Sequence, residues 1–236
     1  MDKTLVQLLE KINKAYGAKV VSVILYGSGA DGDYVKDYSD LNVLCVLTQL
    51  TPVELSVAGG IFRFWREKGN PAPLLMSLEE VRRSTDSFPI EFHDMQANRK
   101  VLAGQDVIAP LVVSDANYRT QIEHELRSKL LRLRQKAAGV WDDDDLLGRL
   151  MVDSSATFLV LARHALTVAG HPVEWRKRPA IEQMKLQFGI DPEPFLTLMD
   201  LREGLTKKLP MAAKQLFERY LKQIEILVDN VDRLGA

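Results

Sequence analysis

Leu25 to Leu47 reads LYGSGADGDYVKDYSDLNVLCVL. It opens on the end of a β-branched run, Ala18 to Tyr26 (AKVVSVILY), breaks at Gly27-Ser28-Gly29, and resumes at Leu41 as LNVLCVL. Each apolar run is too short for a buried helix and is bounded by turn residues, so both read as central strands. The segment between them, GSGADGDYVKDYSD, is rich in Gly, Asp and Ser, where a chain needing unusual backbone angles would put them. Residues two apart on a strand point the same way, so Asp40 and Asn42 share one face, aimed at the glycine-rich turn. Oxygen ligands there suit Mg2+, while backbone N–H groups and the Ser28 hydroxyl suit the phosphates of a nucleoside triphosphate.

Outward from this stretch, Leu5, Leu8, Leu9, Ile12 and Ala15 recur at helical intervals and predict a helix from Lys3 to Tyr16, ended by Gly17. Thr51-Pro52-Val53-Glu54 is a capped helix start running to about Lys68, with Gly59 and Gly60 weakening its middle. Ser77-Leu78-Glu79-Glu80 is a second capping box. Phe88 to Met95 (FPIEFHDM) alternates, and reads as a strand that packs Phe88, Ile90 and Phe92 and turns Glu91 and His93 to the other side. Glu91 could then join Asp40 and Asn42 as a third oxygen-bearing side chain, the second acid of the three.

After Asp115 the pattern is helical almost throughout. Ile122, Leu126, Leu130, Leu133 and Ala137 form one apolar stripe, and Leu147, Leu150, Met151, Ser154, Phe158, Leu161 and Ala165 another. Pro179 opens a shorter helix, Pro192 and Pro194 the next, and Phe217, Leu221, Ile224, Val228 and Val231 mark a long last one. The expected class is α+β: a mixed sheet with flanking helices over residues 1–112, then an all-α helical bundle over 113–236.

The 236 residues carry 31 Lys plus Arg against 32 Asp plus Glu, for a net charge of -1. Near balance removes the global electrostatic case for a dedicated nucleic-acid or membrane-surface binder, and argues against long polynucleotides, while leaving room for a local basic patch. The single cysteine, Cys45, has no disulfide partner in the chain and alternates with apolar neighbours, as a small core residue does. No apolar stretch approaches the roughly 20 residues of a membrane span. A cytoplasmic protein is the expectation.

Other charged clusters have bland readings. Arg127, in a run with Lys129, Arg132, Arg134 and Lys136, is a candidate for the triphosphate; equally, Glu123 stands one turn before it, as on a solvated helix surface. Arg176 to Arg178 form a short basic loop with the same two readings. Asp142 to Asp145 suit the positive end of a helix. The four histidines show no metal-ligand spacing.

The strand, Gly27-Ser28 turn, acidic loop and Ser39-Asp40-Leu41-Asn42 resemble the signature of the nucleotidyltransferase superfamily related to DNA polymerase beta, whose pattern ends in Asp-x-Asp. The helical remainder is similar in plan to the carboxy-terminal bundles of aminoglycoside nucleotidyltransferases. The resemblance implies transfer of a nucleoside monophosphate from a triphosphate to a hydroxyl of a small molecule or protein, with pyrophosphate released and two divalent ions, Mg2+, engaged. It assigns Gly27 and Ser28 to the triphosphate, Asp40 to both metals, and Glu91 to one metal or to activation of the acceptor hydroxyl.

Asn42 departs from the pattern. As a metal ligand its amide oxygen brings no charge, which weakens metal binding and most affects two-metal stabilisation of the attacking and leaving oxygens. Asp31, Asp33 or Asp37 are the carboxylates that could compensate. Two other readings follow: a nucleotide-binding sensor without turnover, and an interaction protein that keeps only the fold and forms a homo-oligomer through its helical half.

Overall fold

The computed structural model describes residues 3–31, 41–174 and 176–234, without the side chains of Ser28 and Asp31. Asp40, Asp33 and Asp37 lie outside the described residues. The chain divides into two compact units, Met1–Asp115 and Ala116–Ala236.

In the first unit, α1 (Lys3–Tyr16) buries Leu5, Leu8, Ile12 and Tyr16, the face its periodicity predicts. Strands β1 (Val20–Tyr26) and β2 (Asn42–Leu47) pair antiparallel, with Tyr26 opposite Asn42 and Ile24 opposite Leu44. Between them only a short α2 (Ser28–Asp31) is described. Helix α3 (Pro52–Glu67) starts at the capping box of Thr51 and Glu54. Gly59 and Gly60 do not interrupt it, since both point into open space while Ala58, Ile61 and Trp65 keep its buried face continuous. β3 (Leu74–Ser77) pairs parallel with β2, and α4 (Leu78–Arg83) begins at the Ser77–Glu80 capping box.

The segment read as a strand at Phe88 to Met95 is a helix, α5 (Pro89–Ala97). Pro89 in the first turn suits a helix start, and the Phe92 N–H donates to the Phe88 carbonyl at 3.1 Å. Ile90, Phe92 and Met95 are buried, whereas Phe88, expected to pack with them, precedes the helix and is 48% exposed, so the apparent period of two does not mark a strand face. The strand comes next: β4 (Arg99–Gly104) pairs antiparallel with β1. It was not legible in the sequence because RKVLAG is a short edge segment with little alternation. The sheet order is β3-β2-β1-β4.

The sheet separates two cores. Val23, Leu25, Val43, Cys45 and Leu47 face α1 and α3, while Ile24, Leu44 and Val46 face α4 and α5 through Val81, Phe92 and Met95. This alternation is what period two requires of a sheet covered on both sides.

The second unit is all helix: α6 (Tyr118–Gly139), α7 (Asp144–Val168), α8 (Lys177–Phe188), α9 (Glu193–Arg202) and α10 (Ala213–Arg233). The stripe from Ile122 to Ala137 is buried as a unit. Asp143 caps α7 by accepting from the Leu146 N–H at 2.9 Å, so this part of the acidic run serves a helix start. Ser154 donates to the Met151 carbonyl at 3.1 Å and meets the buried Tyr220 hydroxyl at 3.1 Å, which places a polar pair inside the bundle core.

Candidate functional site

β1 ends at Tyr26, and Gly27 turns the chain with φ of +71°, a conformation that side chains disfavour. The Gly27 N–H donates to the Asn98 carbonyl at 3.3 Å, and its own carbonyl accepts from the Ala30 N–H at 2.9 Å. The turn is thereby tied to the link between α5 and β4. On its other side the chain resumes at Leu41, whose N–H donates to Asn70 Oδ1 at 2.9 Å. Asn70 is buried, so the backbone immediately after Asp40 is pinned to the α3–β3 loop. Sequence reasoning missed Asn70, because Asn between Gly69 and Pro71 looks like any turn.

Tyr26 has Asn42 as its register partner on one side and Arg99 on the other. By period two, Asn42 shares the face of Leu44 and Val46, which is the face α5 covers. A Cβ built on Gly27 would stand 3.6 Å from Asn42 Nδ2. Burial raises the Tyr26 phenol above its ordinary value of 10.0, and the nearby carboxylates of Glu91 and Asp94 raise it further. Gly27, Asn42 and Tyr26 therefore meet at one end of β1 and β2, within electrostatic reach of Glu91 and Asp94.

The helix carrying Glu91 is held from its far end. Arg99 Nη1 donates to the Met95 and Gln96 carbonyls at 3.2 and 2.6 Å, which closes the carboxy-terminal turn of α5. Arg99 Nε lies 3.0 Å from both oxygens of Asp106, and Asp106 Oδ1 accepts from the Ile108 and Ala109 N–H groups at 3.1 and 3.0 Å. Burial pushes the Asp106 carboxyl up, but Arg99 and these N–H groups outweigh it and hold it below its usual range. Gln96 adds a bond to the Leu111 carbonyl at 2.7 Å, and His93 Nε2 lies 3.1 Å from Asp115 Oδ1.

No protein-family model matches the chain, and no curated protein matches it in sequence. In structure the chain is similar to spectinomycin adenyltransferase AAD(9) from Enterococcus faecialis, crystallised with ATP and spectinomycin. The TM-score is 0.64 at 14% identity, over 98% of each chain. The fold is nucleotidyltransferase-like. Its plan is a unit with a small mixed sheet followed by a helical unit.

Within this nucleotidyltransferase-like fold, β4 beside β1 reads RKVLAG and carries no acid; Glu91 comes instead from α5, where it is exposed. Among the described residues no group of three or more His, Cys, Asp or Glu could hold a metal ion. The described donors at this end of the sheet are the Asn42 amide and the Glu91 and Asp94 carboxylates, hard oxygens of the kind Mg2+ takes, and Asp40 stands two residues before Asn42. The donor chemistry fits that metal.

Arg127 pairs with Glu123 Oε1 at 2.8 Å and with Asp232 Oδ1 at 3.3 Å, the first being the ion pair its spacing predicts. Arg178, expected in a basic loop, lies in the first turn of α8 and pairs with Asp200 and Glu203, both at 2.6 Å. Cys45 is fully buried, and burial pushes its thiol up to about 12, which suits a core residue.

Proposed function

We propose that the chain binds a Mg2+–nucleoside triphosphate at the β1–β2 turn and transfers its nucleoside monophosphate to a hydroxyl of a small molecule or protein. The observation that carries this reading is the meeting of Gly27, Asn42 and Tyr26 at one end of the sheet, with Glu91 close enough to raise the Tyr26 phenol. The likeness to AAD(9), crystallised with ATP and spectinomycin, supports a nucleotide and a small acceptor here too. No described helix is long and apolar enough to cross a membrane, and the proposal takes the reaction to be cytoplasmic.

Asp40, Asn42 and Glu91 would hold Mg2+, which when bound neutralises charge on the phosphates. Gly27 lets phosphate approach the backbone, and Ser28 donates its hydroxyl to it. Glu91 accepts the proton of the acceptor hydroxyl. The acceptor oxygen then bonds to the α-phosphorus as the bond from that phosphorus to the bridging oxygen breaks, and pyrophosphate leaves.

Asn42 itself favours a second reading, a sensor that binds nucleotide without turnover, because one negative charge is missing where divalent ions would sit. Calorimetric titration of each Mg–NTP into the protein, into Asp40→Ala and into metal-free protein tests both. Binding that needs metal and Asp40, followed by pyrophosphate release with an acceptor panel, is expected. Binding without release, with release gained in Asn42→Asp, would establish the sensor. Absence of triphosphate binding would overturn both.

A further inference from the structure

An open cleft of about 530 Å³ lies between α1 and α3, lined by Gln7, Glu10, Lys11 and Lys14 of α1, Phe64 of α3 and Lys68 just after it. The spacing of the α1 residues, at intervals of three and four, makes them one stripe on the side of the helix away from its buried face. The cleft belongs to the helices that cover the sheet face opposite α5, so it is separate from the nucleotide site proposed above.

Its chemistry is lopsided. Lys11, Lys14 and Lys68 form no ion pair with a described residue, and Glu10 is the single acid among the lining residues. Lys11 Nζ lies 4.8 Å and Lys68 Nζ 5.9 Å from the centroid of the Phe64 ring. The ring attracts both ammonium groups through its negative face, and so holds two like charges near each other that would otherwise repel. A chain whose overall charge is close to zero thus concentrates an excess of positive charge, three lysines against Glu10, in one concave place.

We propose that this cleft binds a small oligophosphate, an anion with two or more linked phosphates. A monovalent anion would leave most of the lysine repulsion in place, whereas linked phosphates bridge all three ammonium groups at once. The volume is in the range of small-ligand sites, about 300–1,000 Å³. A polynucleotide would call for a longer basic track than three lysines bounded by Glu10.

The test is calorimetric titration of tripolyphosphate into the full chain in EDTA. That condition keeps it distinct from the metal-dependent nucleotide site, so failure here leaves the nucleotide reading standing and the converse also holds. Each of Lys11→Gln, Lys14→Gln and Lys68→Gln should weaken binding about threefold, and the triple variant about thirtyfold. Phe64→Leu should weaken it about twofold to fivefold with every lysine retained. The circular dichroism spectrum and melting temperature of the triple variant should match those of the parent, which shows that it is folded. Affinity unaltered in that variant, no heat with tripolyphosphate, or tighter binding of a single-stranded oligonucleotide or of anionic vesicles than of tripolyphosphate would each overturn the proposal.

Discussion

Asn42 lies directly across the β1–β2 ladder from Tyr26, and its amide nitrogen is 3.6 Å from the point where a side chain on Gly27 would begin. One residue of the turn and one pair of the ladder thus share a small space at the end of the sheet. The φ of Gly27 and the charge state of residue 42 both act on it.

Gly27→Ala meets no close atom, since 3.6 Å is ordinary van der Waals contact, so its cost comes from the backbone conformation at φ of +71°. Stability should fall by about 1 kcal/mol. Urea unfolding measures this, and a loss several times larger would show that steric crowding dominates.

Asn42→Asp adds a negative charge near Glu91 and Asp94, which already raise the Tyr26 phenol. Without divalent metal the variant should melt lower than the parent, and the Tyr26 phenol should move further up. Added Mg2+ should raise the melting temperature of the variant more than that of the parent. Equal responses in thermal melts would show that residue 42 does not face the metal.

Arg99→Ala or Asp106→Asn removes the clamp that closes α5 and ties it to the loop after β4. Both groups are partly exposed, so the loss should be about 1 kcal/mol or somewhat more. Hydrogen exchange should quicken at the carboxy-terminal turn of α5, where Arg99 covers the Met95 and Gln96 carbonyls, more than in α1.

Glu54 does more than complete its capping box. Lys19 Nζ lies 2.7 Å from its carboxylate, and this contact first, then Thr51, brings the carboxyl from 4.5 down to about 2. A carboxyl lowered in the folded state contributes stability that is complete above its unfolded value and is lost as pH falls toward its folded value. The stability difference between the parent and Glu54→Gln should therefore be largest above pH 4.5 and shrink as pH falls toward 2. A difference independent of pH would show that Glu54 acts through packing alone.

Cys45 is fully buried on β2 with its thiol pushed up to about 12. Thiol reagents should label it only when the sheet opens, at a rate that rises with denaturant in step with global unfolding. Immediate labelling of the native protein would contradict its place in the core.

Local features were readable from the sequence because the interactions behind them lie within a few residues. Capping boxes at Thr51–Glu54 and Ser77–Glu80, the buried face of α1, the two apolar runs around the Gly27 turn and the stripes of α6 and α7 all depend on neighbours in the chain. At Phe88 to Met95 the same reasoning failed. Three apolar residues at intervals of two fit a strand, and Pro89, a good first-turn residue, was the signal that a helix begins there.

By itself, then, the sequence determined the central strand pair, the glycine turn, the change to a helical bundle and the presence of Asn at position 42. Periodicity, chain geometry and residue identity are properties of short segments. Only the tertiary structure decided that Glu91 arrives on a helix, that β4 pairs with β1, that Asn70 holds Leu41, that Arg99 and Asp106 close α5, and that Lys68 joins Lys11 over Phe64. These contacts bring together residues from separate elements, and such pairings depend on which faces are buried against each other, which no local pattern encodes.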